Sequence, residues 1–154
     1  MAKKDFKLLL AFENRKFQTR IIQKLRAVYT VSGVKSLKDL TEKLRRIEPS
    51  LVIVDQRFGN REAGELQEQI IRFCPHIVFV VYSHAERRSV AKRLRKYRAI
   101  DYIIYNSRIL DFTEKVHKAV RWTILQNEVK LLSTKVNRIA ESIKVISKRI
   151  EKAY

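Results

Sequence analysis

Residues 51–58 read LVIVDQRF: four apolar residues that end in a single acid, Asp55. A short apolar run of this kind, following Pro49 and Ser50, has the length and composition of a strand buried on both faces. An acid at the exit of such a strand stands where chemistry often happens. The rest of the chain decides what kind of sheet the strand belongs to and what the acid can do there.

Outward from that stretch the same pattern recurs. Apolar strands are expected at 6–12 (FKLLLAF), 29–34, 50–55, 76–83 (HIVFVVYS) and 99–106 (AIDYIIYN). Between them lie segments with apolar residues at helical spacing. Segment 14–28 carries Phe17, Ile21, Ile22, Leu25 and Val28, and segment 36–47 carries Leu37, Leu40, Leu44 and Ile47 behind Ser36, a side chain suited to cap the helix start. Helices are also expected at 62–73, ended by Pro75, and at 85–97. Five apolar strands alternating with helices predict an α/β fold, a doubly wound parallel sheet covered on both faces. Ligands in such folds bind beyond the carboxyl ends of the strands. Glu13, Asp55 and Ser83 all fall there.

These residues resemble the receiver domains of two-component response regulators, over about residues 6–121. KLLLAFEN is similar to the first strand with its acid pair, and PSLVIVDQRF to the strand that bears the phospho-accepting aspartate. Ser83 and Tyr105 fall at the separations of the switch hydroxyl and of the lysine. The resemblance implies the flavodoxin-like strand order 2-1-3-4-5, with Asp55 as phosphoacceptor position and Ser83 as switch hydroxyl. It also implies a Mg²⁺ site at Glu13 and Asp55, needed only if Asp55 is phosphorylated; no cofactor is otherwise required.

The match departs from the pattern at several positions. Phe12 stands where one acid of the pair would be, His84 where a small residue follows the hydroxyl, and Asn106 where a proline follows the lysine. Tyr105 replaces the lysine itself, whose ammonium would offset charge on a phosphoryl group. Losing that cation and one carboxylate favours Asp55 as a remnant over a working phosphoacceptor. No other catalytic constellation is legible. His76, His84 and His117 lack metal-ligand spacing, and the lone Cys74 has the character of a core thiol rather than a nucleophile.

Two further features concern partners. The chain holds 34 Lys+Arg against 16 Asp+Glu, a formal charge of +18, and the excess is spread along it. It is densest at 86–98 (ERRSVAKRLRKYR), where Arg87, Arg88, Lys92, Arg93, Arg95, Lys96 and Arg98 surround the apolar Val90, Leu94 and Tyr97. So many like charges on one helix repel each other, and the face reads as a docking surface for an acidic protein or nucleic acid. Beyond Asp111 there is no Gly or Pro, and apolar residues step by three and four: Trp122, Leu125, Val129, Leu132, Val136, Ile139, Ile143, Ile146 and Ile150. This heptad pattern predicts a coiled-coil helix of ~60 Å that oligomerises the protein.

Residues 1–121 are therefore expected to form the receiver-like domain and 122–154 the oligomerisation helix, at least a dimer, with tetrameric or antiparallel pairing both open. With no apolar run long enough for a membrane span or signal peptide, a cytoplasmic, non-enzymatic pseudo-receiver that signals or scaffolds is the favoured reading. A true response regulator phosphorylated on Asp55 by a histidine kinase, and a non-specific nucleic-acid binder, are the alternatives.

Overall fold

A computed structural model describes residues 5–83, 102–105 and 109–153. Strands β1 (Lys7–Ala11), β2 (Thr30–Gly33), β3 (Leu51–Asp55), β6 (Val78–Ser83) and β7 (Tyr102–Tyr105) form one sheet in the order β2-β1-β3-β6-β7. Every pairing in it is parallel. Counting only its own strands, this is the order 2-1-3-4-5 that the resemblance implied. Helices α1 (Arg15–Leu25), α2 (Leu37–Ile47) and α3 (Ala63–Phe73) connect the strands, and α4 (Ile109–Ala153) follows the last of them. The expected helix at 85–97 and the basic stretch 86–98 lie outside the described residues, as do His84 and Asn106.

Side chains alternate along each strand, and both faces of the sheet are buried. One face puts Leu9 and Ala11 of β1, Val52 and Val54 of β3, and Phe79 and Val81 of β6 against Leu40 and Leu44 of α2 and Leu66 and Ile70 of α3. The opposite face carries Phe12 and Tyr82 into ring contact with Phe17 of α1 and Phe112 of α4. Cys74 packs at the edge of the first face and is half-buried rather than a fully buried core thiol. Burial, reinforced by the Glu48 carboxylate, pushes its thiol up.

Local signals end the helices as expected. Asn14 Oδ1 accepts from Phe17 N (3.1 Å) at the start of α1. Ser36 caps α2, its Oγ accepting from Asp39 N (3.1 Å), while Asp39 Oδ2 accepts from Lys35 N (2.9 Å). That bond, with Lys43 beside it, holds the Asp39 carboxyl below its usual range. Ser36→Ala removes an acceptor from an otherwise orphaned N–H, so urea unfolding should show a loss of about 1 kcal/mol. At the other end Glu48 adopts a left-handed conformation (φ 51°) just before Pro49.

One element was not foreseen. Strands β4 (Arg57–Phe58) and β5 (Arg61–Glu62) form a small antiparallel hairpin immediately after Asp55. Its two turn residues, Gly59 (φ 57°) and Asn60 (φ 62°), both have positive φ, the geometry of a tight two-residue hairpin turn.

By internal contacts the chain divides into a unit of residues 1–120 and a unit of residues 121–154. In the first, Phe112, Val116, Ala119 and Val120 of α4 are buried. In the second, Leu125, Val129, Leu132, Val136, Ile139, Ile143, Ile146 and Ile150 are each more than half exposed. No helix among the described residues is long and apolar enough to cross a membrane.

Candidate functional site

The carboxyl edge of the sheet gathers the polar residues singled out from the sequence. Asp55 closes β3 and is buried, with 6% of its surface exposed. Its Oδ2 accepts from the backbone N–H of Glu13 at 3.3 Å. Glu13 follows β1, and the Oε1 of its own carboxylate accepts from Gly59 N at 2.5 Å. A single residue thus binds Asp55 through its backbone and fastens the β4–β5 hairpin through its side chain. Ser83 ends β6, fully buried, and its Oγ donates to Gln56 Oε1 at 2.7 Å. Tyr105 ends β7 in register with Ser83.

The neighbours of Asp55 in the sheet are aromatic. Asp55 pairs with Tyr82 on β6, and one step beyond the β1–β3 register it faces Phe12. Strands on either side of a central one lie about 9.5 Å apart. The Phe12 and Tyr82 rings nevertheless meet with centroids 5.5 Å apart, so they close towards each other across the strand that carries Asp55. Phe17 and Phe112 complete the cluster, every ring within 5.2–5.8 Å of the others. Phe12 is therefore a core residue as well as a missing acid.

Gln18 is a buried polar neighbour of the site that sequence reasoning missed. It is buried on α1, where its Oε1 accepts from Phe12 N (2.9 Å) and its Nε2 donates to Val34 O (3.3 Å). A Cβ at Gly33 would lie 2.5 Å from that Nε2, so glycine leaves room for the amide to bridge the ends of β1 and β2. The available signal was its phase: Gln18 falls on the same helical stripe as Ile21 and Leu25. His117, unassigned in the sequence, bonds through Nδ1 to the Tyr29 hydroxyl (2.5 Å).

Mg²⁺ wants six oxygens in near-ideal octahedral geometry, with carboxylates turned towards it. The residues here do not fit that ion as they stand. Phe12 contributes a ring to the aromatic cluster, the Glu13 carboxylate is drawn to Gly59, and Asp55 Oδ2 is occupied by Glu13 N–H. Among the described residues, no three His, Cys, Asp or Glu side chains gather as a metal site.

Neither a protein-family model nor a curated protein matches the sequence. Solved structures do match. A response regulator receiver domain protein from Methanospirillum hungatei aligns with a TM-score of 0.67 and 15% identity, over 79% of this chain and 98% of that one. The chain has the receiver fold. An orphan response regulator of H. pylori shares it at a TM-score of 0.63 and 18% identity, over 75% of this chain and 97% of that one. An adenylate cyclase from Rhodopirellula baltica does so at 0.69 and 13%, over 82% of this chain and 96% of that one. At such identities the likeness is one of fold. Within the receiver fold, Asp55 and Ser83 occupy the carboxyl edge of the third and fourth sheet strands, where the sequence placed them.

Proposed function

We propose that this chain is a receiver-fold signalling or scaffold protein that works by self-association and partner docking, not by phosphoryl transfer at Asp55. The observation that carries the proposal is the setting of Asp55. Its carboxylate is buried and bound by Glu13 N–H, on a strand across which the rings of Phe12 and Tyr82 meet. A carboxylate nucleophile has to be reached by its donor, and the charge that builds on the transferred group has to be offset. Here Tyr105 holds the position of the cation, and the Glu13 carboxylate is committed to the hairpin. Self-association is supported by the row of exposed apolar residues on α4, far more than a lone soluble helix presents to water. Docking of an acidic protein or of nucleic acid through the basic segment 86–98 is supported by its charge alone.

A phosphorylated response regulator is the competing reading, and the closeness of the Ser83 hydroxyl to the Asp55 strand end favours it. Sedimentation equilibrium with and without a small phosphodonor and Mg²⁺ separates the two. The proposal expects the same mass in both conditions. A change in association that vanishes in Asp55→Asn would overturn it.

A further inference from the structure

The α4 residues beyond 121 carry a charge pattern that distinguishes between the ways two copies can pair. With Val129 at position a, the apolar seam consists of Leu125, Val129, Leu132, Val136 and the isoleucines that follow at a and d. The residues flanking the seam then decide orientation. Position g holds Glu128, Lys135, Ser142 and Arg149; position e holds the small or neutral Gln126, Ser133, Ala140 and Ser147.

In a parallel pair, g of one helix faces e of the other, and no charged residue meets an opposite charge. Reversing one helix brings g against g and e against e. Two-fold symmetry then leaves few registers. In the central one, Val136 faces Ile139 of the partner subunit and Leu125 faces Ile150 of the partner subunit, so every apolar layer from 125 to 150 is covered. That register also sets Glu128 against Arg149 of the partner subunit twice, once at each end, with Lys135 opposite a neutral serine. Sliding by one heptad either way sets Lys135 against another Lys135 or against Arg149, and leaves seam residues uncovered at both ends of the coil. On the opposite flank, e against e, the serines and Ala140 allow the helices close approach.

We infer that the C-terminal helix binds a second copy of this chain in an antiparallel coiled coil, in the register that pairs Glu128 with Arg149 of the partner subunit. The inference rests on the self-association proposed above and adds its direction. Residue 121 of one copy and residue 121 of the other would stand about 50 Å apart along the coil axis, which spaces whatever each copy docks.

Disulfide trapping in the full chain tests it, in a Cys74→Ala background. Leu125→Cys and Ile150→Cys are prepared separately, one of them carrying a tag that separates the two on a gel. A disulfide needs Cα atoms within about 7 Å. In the inferred register, Leu125→Cys lies about 37 Å from its own counterpart but directly opposite Ile150→Cys. Under mild oxidation neither variant alone should cross-link, and the mixture should give the hetero-linked species. Cross-linking of Leu125→Cys with itself would overturn the antiparallel inference and leave self-association standing. A wild-type chain that sediments as a monomer would overturn both. An oligomer that forms no cross-link in the mixture would overturn the register.

A charge cycle provides the second readout. Glu128→Arg should weaken association about fivefold, and adding Arg149→Glu should restore it. Independent effects of the two substitutions would contradict the pairing.

Discussion

Restoring the missing acid by Phe12→Asp should unfold the protein more readily rather than build a metal site. The substitution removes a ring that packs on Phe17, Tyr82 and Phe112 and places a carboxylate among the three that remain. Losing a buried phenylalanine costs about 3–5 kcal/mol through lost transfer energy and the cavity left behind. A charge facing apolar rings adds to that cost. Most domains have only about 5–15 kcal/mol in total, so the melting temperature should fall by at least ~10 °C. Adding Mg²⁺ should recover little of it. A variant that melts like the wild type and gains stability with Mg²⁺ would mean that the aromatic cluster is dispensable and the metal site latent.

The second large effect lies on the other unit. Ile139→Asp puts a charge at the centre of the proposed seam, where two copies of the residue would have to be desolvated together. Burying an unpaired carboxylate is expensive enough that the helices should separate rather than accept it. Sedimentation should show a monomer at concentrations where the wild type associates. Far-ultraviolet circular dichroism should keep the sheet signal, since no residue of the 1–120 core is altered. The exposed position Asn137 is the natural control, and Asn137→Asp should leave association within a small factor. An Ile139→Asp chain that associates like the wild type would place the interface elsewhere.

Much of the architecture could be read before any coordinates. LVIVD is apolar on both sides because α1 and α4 cover one face of β3 while α2 and α3 cover the other, and only a parallel, doubly covered sheet asks for that. Ser36 was legible as a cap because its oxygen acts on a backbone group three residues away, a local interaction. The long helix α4 was legible for the same reason, since periodicity within one helix needs no knowledge of anything else.

What escaped depended on residues far apart in the chain. Phe12 was readable as a lost acid, but its membership of a four-ring cluster depends on Phe112, a hundred residues on. Gln18 occupies an apolar stripe because the ends of β1 and β2 offer it Phe12 N and Val34 O, which only the folded sheet brings together. The β4–β5 hairpin had a local signal in Gly59-Asn60, too short to stand out against the strand before it. The part Glu13 plays also escaped. Its backbone N–H serves Asp55 while its carboxylate serves Gly59, a division that residue type does not reveal.

The central claim is that Asp55 marks the receiver fold without being used as a phosphoacceptor. The most direct test is intact-mass spectrometry of the full chain after incubation with a small phosphodonor and Mg²⁺, alongside Asp55→Asn. Both proteins should keep the unmodified mass. A phosphoryl adduct on the wild type that is missing from Asp55→Asn would contradict the claim.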